Sequence, residues 1–100
     1  MRILQVVPAP ATLRVCYAQA PQQPGGKSYV LQPVYYLAVV EEVWNGYRQT
    51  HLYALDLMDG IFTIITEEEV SNFLGIVEVE AVPDFIEESA QQYLTKQRHP

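Results

Sequence analysis

The dipeptide Asn45-Gly46, between two strand-like runs, constrains the fold more than any other feature of this sequence. Asn and Gly readily adopt the two successive positive φ angles that a type I′ turn requires. The preceding run, residues 34–43, reads VYYLAVVEEV and is apolar on both faces over its first seven residues. Such a strand is covered on both sides, by other elements or by a second subunit. Because residues 47–57 (YRQTHLYALDL) suit a returning strand, we predict a long β-hairpin.

Other strand-like patterns surround this hairpin. They cover residues 2–7, 12–19, 61–66 and 76–82 and are rich in alternating or β-branched apolar residues. A segment rich in Pro and Gly, residues 20–28, predicts a long loop, and residues 58–60 (MDG) predict a turn. The sequence therefore indicates a mainly β domain.

Two helix starts follow the strands. Thr66 and Glu69 have the spacing of a capping box, which predicts a short helix that ends at Gly75. Asp84 and Glu87 repeat that spacing and predict a second helix to about residue 97. Its apolar stripe needs a surface to pack against and consists of Ile86, Ala90, Tyr93 and Leu94.

The order of elements over residues 12–80 resembles that of SH3-like small β-barrels. The resemblance implies a mainly β (α+β) fold, a small barrel of about five antiparallel strands with a short helix between strands four and five and a C-terminal helix. Residues 1–83 would form the barrel domain, and residues 84–100 an amphipathic helix docked on it. No acidic ALYDY run follows the first strand, so binding of proline-rich peptides is not implied. VVPAP (6–10) and EEVSNFLGIV (68–77) also resemble small bacterial and phage proteins without an assigned activity.

The charge pattern argues against nucleic-acid binding. The net charge is −6, and residues 51–100 contain ten carboxylates against only Lys96 and Arg98. Nucleic-acid binding depends on Lys and Arg that neutralise phosphates, so we expect none.

The sequence also suggests where the protein is found. With Cys16 as its single cysteine, the chain cannot form an internal disulfide, which fits a reducing compartment. Polar residues and prolines interrupt the N-terminal apolar stretch, so we expect no signal peptide, and no apolar run reaches the roughly 20 residues of a membrane span. We therefore expect a cytoplasmic protein.

Aromatic residues cluster around the predicted hairpin. WNGYR places Trp44, Tyr47 and Arg48 together, and these are the residue types that anchor protein interfaces. Tyr35 and Tyr53 are further interface candidates on the same two strands. Alternatively, these aromatic residues pack across the strands as core. The leading hypothesis is a non-catalytic protein-interaction or self-assembly module, whose partner is another protein or a second copy in a homodimer.

The alternative hypothesis is a small enzyme or ligand-binding protein. It uses Cys16 and His51 in a cleft of the barrel, with Asp56 or Asp59 orienting the imidazole. A single Cys is more often a small core residue. One Cys and two His cannot supply the four ligands of structural zinc, so we expect no metal, and nothing in the sequence indicates a cofactor.

Overall fold

The structure, a computed structural model, describes residues 1–58 and 60–98. These residues form seven strands and a C-terminal helix: β1 (Arg2–Pro8), β2 (Leu13–Ala18), β3 (Tyr29–Pro33), β4 (Tyr36–Trp44), β5 (Tyr47–Met58), β6 (Ile61–Ile64), β7 (Phe73–Glu78) and α1 (Phe85–Arg98). The predicted mainly β fold with a C-terminal helix is confirmed. Asp59, considered above as an orienting carboxylate, and His99, one of the two histidines counted above as metal ligands, lie outside the described residues.

The strands form two antiparallel sheets. The four-stranded sheet has the order β1-β4-β5-β6, and the three-stranded sheet has the order β3-β2-β7. No strand pairing joins the two sheets among the described residues, so the predicted closed barrel of about five strands is wrong. The reason is that β1 and β3 each add a strand to a separate sheet, β1 beside β4 and β3 beside β2.

The hairpin at Asn45-Gly46 forms as predicted. β4 and β5 pair from Tyr36 opposite Leu55 to Trp44 opposite Tyr47. Asn45 has a φ of 51° and Gly46 a φ of 80°, the two positive angles of a type I′ turn.

The predicted short helix after Thr66 is wrong. Residues 67–69 form a single turn, in which the backbone N–H groups of Glu69 and Val70 donate to the Thr66 carbonyl at 3.2 and 2.9 Å. The chain then enters β7 at Phe73, because the residues from there onwards pair with β2. Gly75, expected to end the helix, lies inside this strand with a φ of 146°.

Within the described part of the chain, three apolar clusters hold the sheets and the helix together. One contains residues of both sheets: Val15, Val34, Leu37, Ala54 and Ile65. A second lies between the three-stranded sheet and the helix and contains Cys16, Val77 and Ile86. A third is made by Ala38, Val40 and Leu55 of the four-stranded sheet. The apolar middle of β4 is therefore buried on both faces within a single chain.

The C-terminal helix packs on the three-stranded sheet. Ile86 and Ala90 of its apolar stripe are almost fully buried. Glu87 was expected to partner Asp84 at the start of the helix, but its carboxylate accepts the backbone N–H of Ser28 at 2.9 and 3.2 Å. The helix is thus tied to the residue that immediately precedes β3.

Candidate functional site

The tip of the β4–β5 hairpin exposes two aromatic side chains next to each other. Trp44 and Tyr47 pair directly across the turn, and 68% and 72% of their surfaces are exposed. Val43, 66% exposed, pairs with Arg48 on the opposite face of the hairpin. Since strand pairing and the turn fix the backbone, these four residues are held in place before a partner binds, Trp44 and Tyr47 on one face and Val43 and Arg48 on the other, and together we call them the hairpin tip.

Below the tip, the hairpin carries a polar network. The Tyr53 hydroxyl donates to both carboxylate oxygens of Glu42 at 3.2 Å. Burial and then the charge of Glu42 raise the pKa of Tyr53. His51 Nε2 lies 3.6 Å from the same carboxylate and 3.2 Å from the Gln49 side-chain oxygen. Tyr53 is therefore half-buried and bonded within the hairpin, whereas Trp44 and Tyr47 are exposed.

Tyr35 lies just before the start of β4, far from the hairpin tip at its other end. It precedes β4, whose last residue is Trp44, and nine residue steps along an extended chain cover about 30 Å. Tyr35 is 71% exposed, and its carbonyl accepts the N–H of Ala9 at 2.8 Å. The interface candidates therefore do not form one surface, because Tyr35 is separated from the hairpin tip by the length of β4.

A cleft of about 380 Å³ lies beside Tyr35. We call it the inter-sheet cleft, because both sheets and the segments next to them line it: Val15, Tyr17, Gln32, Pro33, Val34, Tyr35, Tyr36, Leu55, Asp56 and Ile65. Its volume is within the range of small-molecule sites. The sequence singled out Tyr35 as an interface candidate and Asp56 as an orienting carboxylate, but it did not place the two residues in one site.

The structure does not bring the proposed catalytic residues together. Cys16 is fully buried beneath the helix, and burial raises the pKa of its thiol to about 11. His51 lies on the four-stranded sheet with its ring facing Glu42 and Gln49. Asp56 lines the inter-sheet cleft, whose lining includes neither Cys16 nor His51. A protonated thiol remote from a base is unsuited to nucleophilic attack.

In the part of the chain that the structure describes, no three His, Cys, Asp or Glu side chains are grouped closely enough to hold a metal ion. None of the described helical residues form a helix with the length and apolar character needed to cross a bilayer.

The cleft depends on a strand that sequence reasoning missed. Gln32 and Pro33 belong to β3, and Val34 and Tyr35 join β3 to β4. The segment YVLQP contains a β-branched and an aromatic residue, which are a weak strand signal. Pro33 and the neighbouring Gly- and Pro-rich loop obscure that signal. Its pairing with β2 places these residues in the lining of the cleft that also contains Asp56.

Comparison with known proteins found no relative of this chain. No protein-family model, curated protein or solved structure matches the chain.

Proposed function

We propose that this protein is a non-catalytic interaction module that associates through its hairpin tip, with a second copy of the chain as the preferred partner. The observation that carries the proposal is the pair Trp44 and Tyr47, exposed by 68% and 72% on a fixed turn. Trp, Tyr and Arg dominate the energetics of protein interfaces, and the tip contains one of each. SH3-like element order remains a resemblance, and the proposal does not depend on it.

The rigidity of the tip favours association. Binding is weakened by the entropy lost when flexible groups become ordered, and a backbone already held by a type I′ turn avoids most of that loss. The two aromatic side chains also have few rotatable bonds for the area they offer. Their exposed rings can therefore be buried by a partner at a small entropic cost.

A second copy is favoured by the charges of the hairpin. Arg48 is exposed at the tip, and Glu41 and Glu42 lie on β4 a few residues away. His51 and Glu42 form the ion pair within 4 Å that is found among the described residues, so none of the described carboxylates is paired with Arg48. Two hairpins laid antiparallel about a two-fold axis would bring each Arg48 towards the acidic residues of the other copy. Two-fold homodimers use such self-complementary surfaces.

The apolar interior of β4 does not require this partner. Ala38 and Val40 have no exposed surface within the single chain. The proposal therefore depends on the hairpin tip and not on an uncovered face of the sheet.

Sedimentation velocity over a wide range of protein concentrations tests the proposal. We expect a dimer that dissociates in the variant Trp44→Glu, because the charge would have to be buried against the partner. The matched control is Phe85→Glu, which changes an aromatic residue that is 60% exposed on the helix and should leave the dimer intact. Both variants should keep the circular dichroism spectrum of the unchanged protein.

A monomer at the highest concentration would refute self-association. Crosslinking from a photoreactive residue at position 47 then tests for a different protein partner. If neither a second copy nor another protein is crosslinked, the hairpin tip is not an interaction surface.

A further inference from the structure

We propose that the inter-sheet cleft binds a small organic cation, an ammonium group on an apolar body, with Asp56 as its counter-ion and Tyr17, Tyr35 and Tyr36 as its aromatic walls. This site lies at the opposite end of β4 from the hairpin tip, so it is independent of the association proposed above.

The charge of the cleft selects a cation. The residues that line the cleft include one carboxylate, that of Asp56. No Lys or Arg of the described chain lies within 4 Å of this carboxylate. Its charge reaches into the cleft, since it raises the pKa of Tyr17, after the larger effect of burial. A ligand carboxylate or phosphate would be repelled there, whereas an ammonium group would be attracted.

The aromatic walls suit the same ligand. The negative face of an aromatic ring attracts an ammonium group within about 6 Å, and three tyrosines contribute to this lining. Two of them are supported by a second ring. Tyr36 packs edge-on against Phe62 with ring centres 5.6 Å apart, and Tyr17 lies 6.1 Å from Phe73. These contacts hold the walls in place before a ligand arrives.

The floor of the cleft suits an apolar body on the ligand. Val15, Val34, Leu55 and Ile65 line it, and each is 6% exposed or less. Because these four side chains have little surface left exposed, most of the apolar area that the body of a ligand can cover belongs to the tyrosine rings, and Tyr35 and Tyr36 are 71% and 41% exposed. Gln32 and the tyrosine hydroxyls add polar groups that can accept N–H bonds from the ammonium.

Titration with phenethylamine, followed by NMR of the labelled protein, tests this proposal. We expect saturable shifts of resonances from cleft residues and an affinity about tenfold higher than for 2-phenylethanol, which has the same body without the charge. Phenylacetate, the anionic analogue, should bind more weakly than the alcohol.

Variants identify the counter-ion. Asp56→Asn should lower the affinity for phenethylamine severalfold towards that for 2-phenylethanol, with the remaining difference due to the tyrosine rings, and leave the affinity for the alcohol unchanged. Glu88→Gln removes an exposed carboxylate on the helix and should change neither affinity. The variant Trp44→Glu, altered at the hairpin tip, should bind the amine with the affinity of the unchanged protein. If Asp56→Asn loses its dispersed spectrum, rising salt should weaken binding of the amine alone, because screening acts on charged ligands.

Three results would overturn the proposal. One is equal affinity for the amine and the alcohol in the unchanged protein. Another is full affinity for the amine in a folded Asp56→Asn variant. The third is the absence of saturable shifts in the cleft, whether the shifted resonances lie elsewhere or the shifts fail to saturate at about 10 mM amine.

Discussion

Replacement of Glu87 by Ala should destabilise the protein, because its carboxylate joins the helix to the loop before β3. The carboxylate accepts the backbone N–H of Ser28, and Ser28 is only 5% exposed. Removal of the acceptor leaves a buried donor without a partner, which costs about 1–3 kcal/mol. Because Glu87 is itself partly exposed, water can replace some of the lost bond, so we expect about 1–2 kcal/mol. For a domain of this size, each kcal/mol lowers the melting temperature by about 4–8 °C.

Glu88→Ala is the matched control for this measurement. Both glutamates lie in the first turn of α1, where either carboxylate stabilises the helix dipole. Glu88 is exposed, and the bond to Ser28 belongs to Glu87. Urea unfolding of the two variants therefore separates the bonds of Glu87, chiefly that to buried Ser28 and also an exposed one from the Gln91 side chain at 3.2 Å, from the general effect of a negative charge at the helix start.

The pH dependence gives a second readout. The bond from the Ser28 backbone N–H is the main cause that lowers the pKa of Glu87 below its ordinary value of 4.5. A carboxyl group whose pKa is lowered by folding stabilises the folded state above the unfolded pKa, and this stabilisation is lost as the pH falls through the folded pKa. The difference between Glu87→Ala and the unchanged protein should therefore be full at neutral pH and shrink in acid below 4.5. Equal destabilisation by Glu87→Ala and Glu88→Ala at neutral pH would refute the role of the Ser28 bond.

Two further predictions concern the thiol and the surface charge. Cys16 is fully buried, and the pKa of its thiol is raised to about 11, so it should not react with a thiol-specific dye in the native protein but should react completely in urea. Rapid labelling of the native protein would contradict this burial. Nucleic acid should not be retained at physiological salt, because residues 51–100 contain ten carboxylates and only Lys96 and Arg98 as cations; submicromolar binding in a filter assay would contradict this expectation.

Features with a local cause were predictable from the sequence. The type I′ turn depends on two adjacent residues, Asn45 and Gly46, and the C-terminal helix depends on a stripe with helical spacing. The pairing of Trp44 with Tyr47 follows from that turn, whereas the sequence left open whether the two rings are exposed or packed as core. These predictions succeeded because the interactions that decide them lie within a few residues along the chain.

Features with a distant cause were not predictable in the same way. Thr66 and Glu69 have the residue types of a capping box, yet the chain makes only a turn there. The Asn72 side chain donates to the Ala18 carbonyl at 3.0 Å, and Phe73 pairs with Tyr17. These contacts with β2 place the segment in the sheet and override its helix signal.

The cleft could not be predicted for a similar reason. Tyr17, Tyr36 and Asp56 come from β2, β4 and β5, and no motif in the sequence relates them. The strand β3, which has no clear sequence signal, completes the lining. The two sheets must pack against each other before these residues form a site.

The separation of the strands into two sheets has a consequence for the order of folding. In the β4–β5 hairpin, Trp44 pairs with Tyr47 and the remaining pairs follow outwards from the turn. In the three-stranded sheet, by contrast, Leu13 pairs with Glu78, so that most of the chain must be gathered before β2 and β7 meet. Closing a longer loop costs more entropy, and contacts distant in sequence form slowly. We therefore expect the hairpin to take shape early and the three-stranded sheet, with the helix packed on it, to be completed in the last step.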